Sequence, residues 1–172
     1  MVNIEDMRNR LGQDIKIISF PDLEKYNDIN ELLPKKKDYC IIFYIEDNKD
    51  NIDIGHWTCL YKYNNVYYFF DSYGINENNE LSYIPKNKRI KYNENINYLH
   101  NLLKNKNVIN NKYQYQKFKN NINTCGRYVL IILYLFIYKN IYKFDDIHKI
   151  LLKYQRKYNF KSMDELSVFL TD

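Results

Sequence analysis

The 172-residue sequence contains no alanine, only four glycines, three prolines, three cysteines, three histidines and a single tryptophan. Each scarcity excludes something. Cysteines at 40, 59 and 125 are odd in number and widely spaced, which argues against a disulfide framework and for a reducing compartment. No Cys-x-x-Cys or His-x-x-x-His spacing occurs, so no zinc site is expected, and no metal or organic cofactor is called for. The longest apolar run, Tyr128 to Tyr138, lies between Arg127 and Lys139. It is far shorter than the roughly 20 residues a bilayer demands, so it reads as a buried helix. The opening MVNIEDMRNRLGQ is too polar for a secretory signal. A soluble, non-secreted protein without membrane contact is expected.

The missing alanine is balanced by abundant Lys, Asn, Ile and Tyr, the pattern of an AT-rich genome. Composition is therefore a poor guide to chemistry here. Net charge is +5, yet only five of the 26 basic residues are arginine. Bidentate reading of bases relies on arginine, so the charge reads mainly as a lysine-biased surface. It permits weak, non-specific DNA contact. Hydrophobic residues make up 45% and aromatics 17%. That is enough for one domain, 1–172, with a real core.

Residues 3–10 are expected to form a short helix and 15–20 a short strand. A weak helix or irregular segment should span 22–33. DYCIIFYIE (38–46) has the β-branched and aromatic content of a central strand. HWTCLYKY (56–63) and VYYFF (66–70), joined by Asn64-Asn65, form a predicted hairpin that ends in a turn at 71–74. Residues 76–91 read as loop and 94–103 as helix, and another strand is expected within 107–116. A buried helix follows from Cys125. An amphipathic helix is expected over 143–158, and a last one opens at the Ser162-Met163-Asp164-Glu165 capping box. The fold class is α+β: a small, mostly antiparallel central sheet flanked by helices.

Three of the four glycines mark chemically interesting residues. Gly55 precedes His56, Gly74 closes the turn begun by Asp71, and Gly126 follows Cys125. A thiol nucleophile needs a histidine to accept and return a proton, a polar group to orient it, and donors for the oxyanion. Cys125 stands at a predicted helix N-terminus, where free N–H groups favour a thiolate. His56 begins one strand of the hairpin and Asp71 ends the next, which puts both at one end of the sheet. Gln114 or Gln116 can supply an amide donor. Taken singly, each residue has an ordinary reading. Cys125 could be a small buried hydrophobe, His56 a polar residue, Asp71 a turn former and Trp57 core. Cys40 and Cys59, inside apolar strands, read as packing, and His100 and His148 as ordinary polar residues.

Together, GHW (55–57), FFDSYG (69–74), YQYQ (113–116) and TCGRYV (124–129) resemble the adenain-like cysteine proteases. That family shares its fold with the SUMO and other ubiquitin-like-specific proteases and orders its site His, Asp or Glu, Gln, Cys, the reverse of papain's Cys-before-His order. The likeness spans about residues 38–140. It implies Cys125 as nucleophile, His56 as general base and acid, and Asp71 as its orienting carboxylate. Gln116, with Gln114 in reserve, and the Cys125 N–H would form the oxyanion hole. Trp57 would shape a substrate channel favouring glycine-containing sites. Gln116 stands nine residues before Cys125, where the family has six or seven, which implies an insertion in KFKNNINT (117–124) or a different glutamine. The resemblance points to an endopeptidase that trims capsid and other virion precursors of a large DNA virus or virophage. Its place would be the host-cell cytoplasm at the assembly site, and also the virion. The alternatives are a SUMO- or ubiquitin-deconjugating protease and a non-catalytic scaffold binding DNA or capsid proteins.

Overall fold

A segment as apolar as DYCIIFYIE has to be covered on both faces, and it becomes an interior strand of a five-stranded sheet. The computed structural model describes residues 2–119 and 121–172. Its sheet has the spatial order β1 (Lys16–Ser19), β2 (Lys37–Lys49), β3 (Ile52–Tyr63), β4 (Val66–Phe70), β5 (Asn107–Asn110). The three middle strands are antiparallel, while β1 runs parallel to β2 and β5 parallel to β4. The expected sheet flanked by helices is present, but it is mixed: its two inner pairings are antiparallel and its two edge pairings parallel.

Because side chains alternate along a strand, each interior strand feeds two cores. Ile41, Cys59, Tyr61 and Phe70 point to a large core shared with helices α1 (Ile4–Leu11), α5 (Cys125–Lys139), α6 (Phe144–Lys157) and α7 (Met163–Thr171). Cys40, Ile42, Tyr44, Leu60 and Phe69 point to a second core, covered by the 3-10 segment Phe20–Lys25, α2 (Ile29–Leu32) and α4 (Tyr98–Leu103). Helix α5 is the spine of the larger core. Its Val129, Ile132, Leu133 and Phe136 are fully buried, each worth about 1.5–3 kcal/mol of transfer free energy. The helix stops at Asn140, which takes the left-handed conformation that ends helices. No helix among the described residues is long and apolar enough to cross a membrane.

The β2–β3 hairpin is longer than its hydrophobic pattern indicates. Pairing continues to Lys49 and Ile52 and closes through Asp50 and Asn51, both at positive φ. The stretch EDNKDNID carries no apolar alternation; its backbone ladder and the Asn48 Nδ2 to Asp53 Oδ1 bond across it, 2.7 Å, hold it as strand. Within 76–91, expected to be loop, lie a 3-10 turn at Glu80–Tyr83 and α3 (Lys86–Lys91). Both are too short to show a period. Helix α4 begins at Tyr98 rather than near residue 94, because the Asn97 side chain caps it by accepting from the His100 N–H. The strand expected within 107–116 is confined to β5.

Candidate active site

Strand β3 outruns its neighbour β4. Pairing between them ends at Cys59 and Phe70, so His56 projects beyond β4 at the end of the sheet. The chain leaving β4 turns at Asp71, and Gly74 (φ +76°) closes that turn by donating its N–H to the Asp71 carbonyl. His56 belongs to the Tyr44 face of the sheet, since Tyr44 and His56 are cross-strand partners. Asp71, one residue past Phe70, reaches the same face. The His56 ring Nε2 is hydrogen-bonded to Asp71 Oδ2. The other Asp71 oxygen accepts the Tyr73 backbone N–H, so the carboxylate is fixed from two sides.

Gly55 is required by this arrangement. A Cβ there would fall 1.9 Å from the Tyr44 carbonyl oxygen, and no side chain fits. The backbones close up beside a bulge between Ile45 and Asp47. Glu94 holds that bulge by accepting the Ile45 N–H at 2.7 Å.

Cys125 is the first residue of α5 and is 7% exposed. It lies near enough to the His56 ring for its charge to act on the imidazole. Burial disfavours the imidazolium, but the Asp71 carboxylate and Cys125 outweigh it and raise the His56 pKa well above its ordinary value. Asp71 is buried too, yet His56 and its other donors hold its pKa below the usual carboxylate range. A proton on His56 and a negative charge on Asp71 are therefore mutually supporting. Cys40 and Cys59 differ sharply. Both are fully buried between sheet and helices, and desolvation pushes Cys40 up to about 12 and Cys59 well up. They are packing residues.

The two candidate glutamines part company. Gln114 is exposed and donates only to the Gln116 carbonyl. Gln116 is buried. Its side-chain oxygen accepts from the Ser72 hydroxyl at 2.8 Å, and its amide nitrogen donates to the Ile122 carbonyl at 2.9 Å and to Tyr73 Oη at 3.1 Å. The Ile122 bond folds the chain back on itself, which reconciles a nine-residue separation with proximity to the helix start. Phe118 lies exposed on that excursion. Trp57 lies on the opposite sheet face from His56, tilted against Phe43 at 4.4 Å, and its ring edge would be 3.3 Å from a Cβ at Gly126.

Three contributors escaped the sequence reading. Tyr73 stacks on the His56 ring (4.8 Å between centroids, 15° between planes), and Phe118 stacks on Tyr73 at 4.1 Å. Asp164 of α7 accepts the Thr124 hydroxyl at 2.6 Å and the Lys117 N–H at 3.3 Å, pinning both ends of the 117–124 segment. Glu80 is completely buried, with Oε1 3.9 Å from His56 Nε2. The capping box at Ser162 was the only available signal for Asp164; for Glu80 there was none. His56, Asp71 and Glu80 each place one donor atom within 4.8 Å of the others. The donor density could suit a cation, but the direct His56–Asp71 bond accounts for the arrangement without one.

The α+β domain thus gathers a buried His–Asp pair, a cysteine at a helix N-terminus and an anchored glutamine. No protein-family model matches the chain. It is 34% identical over 142 residues to an uncharacterized protein of Sputnik virophage, V9, covering 81% of this chain and 78% of that one. The chain belongs to the V9 family.

Proposed function

We propose that this protein is a cysteine endopeptidase with an adenain-like fold, which cleaves virion precursor proteins during maturation. The observation that supports the reading is the bonded His56–Asp71 pair at one end of the sheet with Cys125 near enough to influence the imidazole. His56, protonated and backed by Asp71, supports the Cys125 thiolate. The thiolate attacks the scissile carbonyl, and free N–H groups of the first turn of α5 stabilise the oxyanion. His56 then gives its proton to the leaving amine, and water attacks the acyl-enzyme with His56 as base. Gln116 would join the oxyanion hole by turning one amide hydrogen from Tyr73 or Ile122 toward the substrate. Relationship to a virophage protein favours virion precursors as substrates over ubiquitin-like conjugates.

The test is to incubate wild-type protein and Cys125→Ala with virophage capsid precursor and, separately, with ubiquitin-like modifier fused to a fluorophore. Discrete capsid fragments from the wild type alone, with new N-termini beside glycine, are expected. Cleavage of the modifier fusion but not the capsid protein would move the reading to a deconjugating protease. Identical inertness of both proteins would leave the scaffold reading. Because the proposed nucleophile is a thiol, chelator treatment should leave the rate unchanged.

A further inference from the structure

Behind the His56–Asp71 pair the molecule buries a third ionisable group that the proposed mechanism does not use. Glu80 opens the 3-10 turn Glu80–Tyr83, and Leu81 and Ile84, buried in the second core, draw that turn inward. Its carboxyl is fully buried, and neither oxygen has a hydrogen-bond partner in ordinary geometry. Among the described residues no lysine or arginine forms an ion pair with it. The groups facing it are Tyr44 and Glu46 from β2, His56 from β3, Asp71 after β4 and Tyr83 from its own turn. Of these only His56 carries positive charge, and Asp71 already takes it. The hydroxyls of Tyr44 and Tyr83 are likewise buried and unpaired.

An unpaired buried carboxylate costs several kcal/mol, whereas a neutral carboxyl costs far less. Two carboxyls sharing a site do not both ionise, and the one with more donors keeps the charge. Asp71 has His56 and the Tyr73 N–H, while Glu80 has neither. Resting on the protease reading, we propose that Glu80 is a neutral, permanently protonated positioning residue. Its hydroxyl donates to the Asp71 carboxylate and thereby holds Asp71 as the acceptor for His56. Burial first, and the neighbouring Asp71 charge second, raise its pKa well above the ordinary range. The Asp71–Glu80 contact in turn contributes to holding Asp71 below it.

The experiment compares wild type, Glu80→Gln and Glu80→Leu by pH-resolved alkylation of Cys125 with iodoacetamide and by infrared difference spectroscopy. The infrared arm, in D2O at about pH 8 where an ordinary carboxyl is ionised, looks for the C=O stretch of a protonated carboxyl that vanishes in Glu80→Gln. That band is expected. Its absence overturns the proposal, and this arm does not require Glu80→Leu to fold. Glu80→Gln, which keeps a neutral donor, should alkylate within about threefold of wild type. Glu80→Leu should slow about tenfold or more, with the acid limb moved to higher pH, since losing a donor raises the Asp71 pKa. Equal damage from both variants would mean an ionised Glu80, and no effect of Leu would mean a bystander. Either result overturns the proposal. A wild-type Cys125 that reacts no faster than a free thiol would instead sink the protease reading itself.

Discussion

Two ends of the same sheet bury polar groups, and they treat them in opposite ways. At one end Lys62, 5% exposed, donates to Asn30 at 3.0 Å and to the Leu33 carbonyl at 3.2 Å, while Tyr67 shares Asn30. Nearby, Asp38 accepts the Lys35 and Tyr39 N–H groups and meets Lys16. These buried groups are partnered, and they lock strands to loops. At the other end His56, Asp71, Glu80, Tyr44 and Tyr83 crowd together with one charge-bearing base and several orphaned atoms. A fold gains no stability from the second arrangement. Satisfied burial locks architecture; the incompletely satisfied cluster near Cys125 is where the proposed chemistry would sit.

That contrast breaks most visibly by removing the reacting groups. Cys125→Ala should lower peptide hydrolysis by about 10³-fold or more with little change in Tm, and His56→Ala should cost as much activity while also lowering Tm, because it leaves buried Asp71 unpaired; turnover and thermal melting measure both. Cys59→Ser should do the reverse. It places a hydroxyl in a fully apolar site at a cost of about 1–3 kcal/mol, with activity per folded molecule retained. Gln116→Ala should cost about 10²-fold in kcat if its amide serves the oxyanion, whereas exposed Gln114→Ala should cost nothing measurable.

Asp71→Asn should cost less than losing Cys125 or His56, and its pH signature is diagnostic. The Asp71 charge raises the His56 pKa, so removing it lowers that pKa. The imidazolium is then lost at lower pH, and the alkaline limb of kcat/KM should move toward neutrality. Lys62→Met sharpens the opposite end. It should lower Tm by stranding the Leu33 carbonyl, while kcat/KM stays at the wild-type value. The smallest effect belongs to Glu94, whose pKa burial raises to about 7. Between 4.5 and about 7 the folded state holds a proton that the unfolded state has released, so this group's contribution falls as pH rises through that window. Glu94→Gln should therefore gain in Tm relative to wild type as pH rises toward about 7, and be matched with it below 4.5.

Much of this was legible in the residues. β-branched and aromatic runs gave the interior strands, and the turn at Asn64-Asn65 gave the hairpin that brings His56 and Asp71 to one end. The sparse glycines signalled real backbone demands, at Gly55 and Gly74. Glu80, Tyr73 and Asp164 were not legible. Each acts across sequence separations that no periodicity encodes, and Glu80 sits in a stretch, ENNELSYIP, whose polar look hides an inward turn. The hairpin tip at 47–54 was missed for the converse reason: backbone pairing and a polar Asn48–Asp53 bond, not an apolar pattern, make it strand. The sequence favours Gln116 and keeps Gln114 in reserve. Burial and the bond to Ile122 distinguish them.

The most direct test of the central claim is competitive labelling of the three thiols with limiting iodoacetamide, read residue by residue by mass spectrometry in wild type and His56→Ala. Cys125 should be labelled far ahead of the buried Cys40 and Cys59 in wild type, and its lead should collapse in His56→Ala while the protein stays folded. A Cys125 rate indifferent to His56, or a first label on Cys40 or Cys59, would contradict the account.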